Sequence, residues 1–530
     1  MQGVDDLRDA GADVIVDDVY YFSEPMFQDA QWAQAIADVV NNSGVTYTTL
    51  AGNFATNAYE ASFVSNSNIT IAGTSYAALD FNTGSGTDTT QTINVPLNQT
   101  FRLSLQWNQP YDSISPSSAG AATDLNIYIL DASGNVVASS ENSNVGGDPS
   151  EFISYQNTSG NTALRVVITK ASGSGTPNPS RLKYILFNNN VTINEYDNDA
   201  GTVYGHQNAA SAITVAAAPA AAPAAPETFS SRGRTDIYLN TNGTVKSTPE
   251  VRNKPEITAP DAVSTTVAGF ATFTGTSAAA PHAAGAAALM YEARFDGYGT
   301  FPSPSRVKTD LQGAALDITT GAQTATGFDR ASGSGLIRAD RSVARILMDY
   351  DSGTDKLTIR GTPNNDTLTT SVSSGNVTVT LNSTPVVYSY SLVSSLDVDV
   401  GAGNDNVNLG TTFGKPATLS GGRNNDTLIG GIANDILGGG SADAGVDNLR
   451  GGAGDDLLEG YGGNDLLTGD SGADRLFGND GDDILDAGDS ELDVSIAGGA
   501  GADSAYYDVP PPTGINETGL LVSITTGYPV

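Results

Sequence analysis

The stretch TFTGTSAAAPHAAGAAALM, residues 272–290, decides how this chain is read. Gly275 permits a tight turn with backbone close to a bound group. Ser277 falls in the first turn of an alanine-rich helix, where free N–H groups and the helix dipole favour negative charge developing beside a nucleophile. Pro281 stands early enough in that helix to cost little. The run 278–288 is nearly all Ala and Gly, which suits burial between a sheet and another layer. The plain alternative is a buried helix with an incidental capping serine. A serine nucleophile needs a base, and the base needs an orienting group, so the reading turns on what else the chain holds.

Working outward, the 530 residues leave room for about three domains. Acidic residues number 59 against 24 basic, a net charge of −35. That balance argues against nucleic acid, whose phosphates are bound through Lys and Arg, and against anionic membrane surfaces. It favours solubility and cation binding. The absence of cysteine excludes disulfides, thiolate metal sites and a cysteine nucleophile. No apolar run reaches the roughly 18 residues of a spanning helix. The start, MQGVDDLRDAGADV, shows no signal-peptide pattern. Nothing in the sequence speaks to oligomeric state.

Along the chain, ADVIVDDVYYF reads as a buried strand, FQDAQWAQAIADVVNNSG as a helix with apolar residues at Trp32, Ile36, Val39 and Val40, and VTYTTLAGN as a second strand. This is a βαβ pattern, which implies parallel strands. Near residue 81 the pattern changes to β-branched alternation with Asn/Gly turns, so residues 82–194 are expected to form an inserted β-sandwich. Helix and strand alternation returns over 195–345, including an Ala/Pro segment at 216–227 expected to be an exposed extended loop. Residues 346–400 read as a β-rich linking domain, 401–506 as a Gly/Asp repeat region and 507–530 as a tail or closing strand.

The segment GTSAAAPHAAGAAAL resembles the nucleophile segment of the subtilisin-like serine peptidases. Four other stretches fit that family in collinear order: LAGN (50–53), YGHQNAASAITVAAA with FSSRG (204–233), KPEITAPDAVSTT (254–266) and GSGLIRADRSV (333–343). The resemblance implies an α/β parallel-sheet peptidase domain, residues 1–81 and 195–345, interrupted by the insert. It implies Ser277 as nucleophile and Asn53 as the side chain completing the oxyanion hole. The family carries its triad in the chain order Asp, His, Ser, and both partners belong upstream of a strand like VIVDDV. The expectation is therefore an N-terminally incomplete domain whose base and acid are not in this sequence. The two histidines do not supply the base: the resemblance gives His206 a packing and hydrogen-bonding role and His282 a structural one. GADVIVDDVYYFSEPMFQD further resembles a bacterial group between the subtilisins and the sedolisins, which leaves His and Glu both open as the missing base. Asp17 and Asp18 are expected either to bind backbone N–H groups at a strand end or to border the substrate cleft. Glu24 reads as a solvated loop acid.

Residues 421–506 read in nines: GGRNNDTLI, GGIANDILG, ADAGVDNLR, GGAGDDLLE, GYGGNDLLT, GDSGADRLF, GNDGDDILD and, after an interruption, GGAGADSAY. The sixth position is always acidic: Asp426, Asp435, Asp447, Asp456, Asp465, Asp474, Asp483 and Asp503. Partial copies place Asp366 and Asp405 in the same role. In the seven uninterrupted repeats a leucine stands two places later, as at Leu428 and Leu458. Glycine turns expose carbonyl oxygens, the Asp adds a hard anionic ligand, and Ca²⁺ takes 6–8 such oxygens. The pattern resembles the repeats-in-toxin parallel β-roll, with those aspartates as calcium ligands. Residues 401–506 carry 19 acidic and 4 basic residues, so without a cation the segment should repel itself, and calcium binding should be coupled to folding.

The sequence thus predicts a multidomain, secreted, extracellular serine endopeptidase acting on polypeptide substrates, with Ca²⁺ as its cofactor and no nucleic-acid partner. The alternatives are an inactive truncated relative and a calcium-dependent extracellular binding or matrix protein.

Overall fold

The computed structural model describes residues 2–116, 118–172, 177–441, 444–488, 493–507 and 520–522. The chain divides into two units, residues 1–288 with 303–338, and 289–302 with 339–530.

In the first unit, Val14–Asp17, Thr46–Leu50, Ile213–Pro219 and Ile257–Asp261 form a four-stranded sheet in that order, every pair parallel. The helix Gln31–Ser43 makes the crossover between the first two strands. Its spacing puts Ala33, Ile36, Val39 and Val40 on one face, packed with Ile15 and Tyr47. Gly44 ends it in the left-handed region at φ 75°, donating its N–H to the Val39 carbonyl. The third strand departs from the exposed loop expected at 216–227. Ala216, Ala217 and Ala218 are fully buried and pair with Thr258, Ala259 and Pro260. Small side chains suit the middle of a sheet covered on both faces, and the Ala/Pro loop begins only after Pro219.

Between the second and third strands the chain builds two antiparallel sheets. One orders Ser150–Gln156, Thr100–Trp107, Leu182–Leu186 and Ala58–Ala61; the other has seven strands and includes Ala163–Lys170 and Leu125–Leu130. Leu103, Leu105 and Trp107 of the first sheet share a core with Ile127, Ile129, Val166 and Ile168 of the second. Each such side chain contributes about 1.5–3 kcal/mol when fully buried. The strands begin at Ala58, before the change expected at residue 82. Ser67–Ile71 and Thr74–Ala78 form a hairpin at the edge of the larger sheet. Its half-exposed burial hides the alternation on which the sequence reading depends.

In the second unit, strands of two sheets alternate along the chain. Pairing runs in parallel register, Leu396 with Ala417, Leu437 with Leu458 and Leu458 with Leu476 in one sheet. In the other it runs Leu428 with Leu449, Leu467 and Leu485. These leucines are at most 1% exposed, so successive coils stack their apolar residues into two ladders. Residues 346–400 are not a separate layer: Leu357 and Leu368 occupy the same ladders through Leu396 and Val407. The expected tail, 507–530, lies mostly outside the described residues; Leu520–Val522 pairs in parallel with Asp503–Ala505.

Candidate active site and calcium-binding repeats

The carboxyl ends of the four parallel strands carry the candidate residues, where open α/β sheets place their sites. The second strand leads into Ala51, Gly52 and Asn53, and the fourth ends at Asp261. The turn before the helix Thr276–Tyr298 is anchored to both. Gly275 donates its N–H to Asp261 Oδ2 at 2.9 Å. Thr276 bonds Asn53 Oδ1 twice, through its N–H at 3.0 Å and its hydroxyl at 2.9 Å, and its Oγ1 accepts the Gly52 N–H at 3.2 Å. The Asn53 carboxamide is thereby fixed by its oxygen, with Nδ2 left facing the turn. Gly275 has φ +106°, and a Cβ there would stand 3.0 Å from Asn53 Nδ2. Only glycine allows this approach. Pro281 departs from expectation: the helix begins at Thr276, so Pro281 lies inside it and leaves the Ser277 carbonyl without its helical donor.

Asp17 and Asp18, at the end of the first strand, part company. The Asp17 carboxylate accepts from Tyr47 Oη and, at 2.7 Å, from Thr49 Oγ1, and faces His206 Nε2 at 3.3 Å. These partners are side chains rather than the backbone N–H groups expected at a strand end. Asp18 turns toward Ser277. Burial pushes its carboxyl above the usual range, the hydrogen bond with Ser277 works against that, and the Asp17 charge adds to it.

His206 is 1% exposed, with Nδ1 2.7 Å from Glu24 Oε2. The Glu24 carboxylate also accepts the His206 backbone N–H at 2.9 Å. Burial works to lower the imidazole pKa, but the bonds to Asp17 and Glu24 outweigh it and hold it at about 9. The imidazolium therefore bridges two carboxylates. Glu24, expected to be solvated, is 5% exposed. Gly205 explains the Gly-His pair, since a Cβ there would meet Glu24 Oε2 at 2.1 Å. The Glu24–His206 contact spans 182 residues, and no local pattern announces it. His282 lies on the exposed side of its helix with Nδ1 2.8 Å from the Ala278 carbonyl. A family model described as the subtilase family matches residues 11–335.

The chain belongs to the subtilase family. A second model, the RTX calcium-binding nonapeptide repeat, matches this subtilase over 417–443, 441–476 and 459–490. Among solved structures the subtilase is similar to the Clostridium perfringens CspB protease, at 15% identity and a TM-score of 0.38, over 65% of this chain and 68% of that one. No curated protein matches it.

In the repeat region of this subtilase the sixth-position acids form two lines, one along each edge of the roll. Each Oδ1 accepts the backbone N–H of the corresponding Asp one coil earlier: Asp426 from Asp405, Asp447 from Asp426, Asp465 from Asp447, Asp483 from Asp465 and Asp503 from Asp483, at 2.8–2.9 Å. The other edge runs Asp435, Asp456, Asp474 and Asp493 in the same sense. Asp366 joins the first line through Asp405. Asp493 lies outside the expected set, because the sequence GDSELD over 488–493 lacks the internal glycine of the other repeats; Ile496, three places on in the leucine ladder, is the signal that marks it.

These residues fit calcium. The Oδ2 atoms of Asp405, Asp456, Asp483 and Asp503 are buried with no hydrogen-bond partner. Those of Asp456, Asp483 and Asp503 lie beside glycines whose missing Cβ leaves the space: a Cβ on Gly451 would be 2.4 Å from Asp456 Oδ2 and 2.7 Å from the Gly469 carbonyl oxygen. Carboxylate and carbonyl oxygens thus converge in the hard-oxygen shell that Ca²⁺ takes. Burial pushes the Asp456 carboxyl up to about 7 and Asp435 to about 6, a penalty a cation would relieve. Among the described residues no three acidic or histidine side chains gather into one metal site, so a cation here would have to draw part of its shell from glycine carbonyls. No helix among them is long and apolar enough to cross a membrane.

Proposed function

We propose that the chain is a calcium-dependent serine endopeptidase that works outside the cell on polypeptides. Ser277 Oγ forms a bond to the substrate carbonyl carbon, and its proton passes to a carboxylate. Asp18, whose carboxyl the Ser277 side chain acts on, takes it in this reading and returns it to the leaving amine as the peptide C–N bond breaks. Water then hydrolyses the acyl-enzyme by the same route in reverse. Asn53 Nδ2 and the Ser277 N–H stabilise the oxyanion. The observation that carries this reading is the Asn53 carboxamide, held at Oδ1 by Thr276 and facing the Ser277 turn with its amide donors. Removing one such donor typically costs about 10²–10³ in rate. Calcium held by the two lines of aspartates folds the roll. Repeats of this kind are typical of secreted bacterial proteins, which is what supports an extracellular site of action.

A fluorophosphonate probe tests the reading. Purified chain in calcium should be labelled at Ser277, Ser277→Ala should not, and Asp18→Asn should label far more slowly. Absence of labelling in a folded, calcium-loaded chain would overturn the enzyme reading and leave calcium-dependent binding as the function.

A further inference from the structure

The antiparallel sheets hold a group of oxygens that neither the peptidase chemistry nor the repeats use. On the strand Ser150–Gln156, Glu151 and Ile153 point inward while Phe152 and Ser154 are exposed. A carboxylate thus stands at a core-facing position, 1% exposed. Its Oε2 accepts from Ser140 Oγ and, at 3.0 Å, from Asn142 Nδ2. Its Oε1 is buried and has no partner, and no cationic side chain pairs with Glu151 among the described residues.

Asn144 adjoins it and is 4% exposed. Asn144 Nδ2 donates to the carbonyls of Asp148 and Ser150, both at 3.0 Å. That turns Oδ1 the other way, where it too is buried without a partner. The Asn144 N–H bonds the Asp124 carboxylate, and the Asp124 charge acts on Glu151. Asp124, Asn144 and Glu151 are therefore neighbours. A proton on Glu151 would quiet the charge but would leave Asn144 Oδ1 unanswered, since the two side chains do not hydrogen-bond. Buried acceptors without donors call for an unseen partner, and a positive one beside Asp124 answers both Glu151 Oε1 and Asn144 Oδ1 at once.

We propose that Asp124, Asn144 and Glu151 form a divalent-cation site inside the antiparallel segment, separate from the repeats. The donors are two carboxylates and an amide carbonyl, with no imidazole or thiolate, which selects a hard cation, calcium, over zinc or copper. The site joins the strands Val136–Ser140 and Ser150–Gln156 to the turn at 120–124. The neighbouring strand carries Gln106, whose Oε1 accepts the Met26 N–H and whose Nε2 donates to the Glu24 carbonyl. Ordering this segment therefore steadies the loop that holds Glu24.

Peptide-resolved hydrogen exchange on the full chain, in chelator and in calcium, tests the proposal. Amides in 120–151 should gain protection with calcium, by roughly a hundredfold at about a hundred times the dissociation constant. In Glu151→Gln, which removes the buried charge without changing shape, those amides should no longer respond, while amides of 421–503 respond as before. Asp124→Asn keeps the shape and an oxygen acceptor while removing one carboxylate, and should move the calcium midpoint of 120–151 to higher concentration. No calcium response of 120–151 in the wild type, an undiminished response in Glu151→Gln, or an unchanged or lower midpoint in Asp124→Asn would each overturn it.

Discussion

Replacing His206 by Gln removes the cation between Asp17 and Glu24 and gives a measurable pH signature. The imidazole is 1% exposed, so solvent does little to screen it. A folded pKa of about 9 against an ordinary value of about 6.5 is worth about 3 kcal/mol, at about 1.4 kcal/mol for each tenfold change in proton affinity. The folded state binds the proton more tightly, so this stability is fully present below pH about 6.5 and is lost as pH rises through about 9. Urea denaturation at fixed calcium, followed by tryptophan fluorescence, reads the relevant unit, since the chain's two tryptophans, Trp32 and Trp107, both lie within residues 1–288. Trp32 also packs beside His206 at 5.9 Å between ring centroids. Lys254 titrates in the same range, at about 8, but it does so in both proteins, and the difference curve isolates His206. The variant should be less stable by roughly 3–5 kcal/mol near neutrality, the cost of stranding buried charge, and the gap should narrow above pH about 9. Parallel wild-type and variant curves across that window would refute the account of a bridging imidazolium.

Other outcomes follow from the same geometry. Asn53→Ala should cut fluorophosphonate labelling or peptide hydrolysis by about 10²–10³, and should also destabilise the fold by about 1–3 kcal/mol, because it strands the buried Thr276 N–H and hydroxyl. Gly275→Ala forces a side chain into a φ of +106° beside Asn53 Nδ2 and should cost about 1–3 kcal/mol in denaturation as well as reactivity. Leu458→Ala opens a cavity in a fully buried ladder and should destabilise the roll by about 2–5 kcal/mol, seen as a higher calcium midpoint by circular dichroism. Because burial raises the Asp18 carboxyl, the acid limb of labelling should fall above the ordinary carboxylate range and should vanish in Asp18→Asn.

What the sequence reveals depends on how local the physics is. The nonapeptide period is legible because glycine, aspartate and leucine repeat their roles every nine residues, and the helix after Ser277 is legible because small residues crowd together there. Asp493 escapes because one glycine turn is missing, although the ladder position of Ile496 persists. The Glu24–His206–Asp17 group escapes for another reason. An acid in a loop looks solvated until a partner 182 residues away is brought against it. The first strands of the antiparallel sheets escape the sequence pattern because edge hairpins expose both faces and blur alternation.

The aspartate lines along the roll tie the fate of each coil to its neighbour. Each acid is aimed by the coil before it, whose Asp amide donates to its Oδ1. Aspartates ordered in one turn, as they would be on a bound cation, would thus align the acids of the next, and order would spread by propagation along a single axis. Such a structure grows from a nucleus like a zip fastener, and a break anywhere in the file separates it into two shorter segments that must each start again.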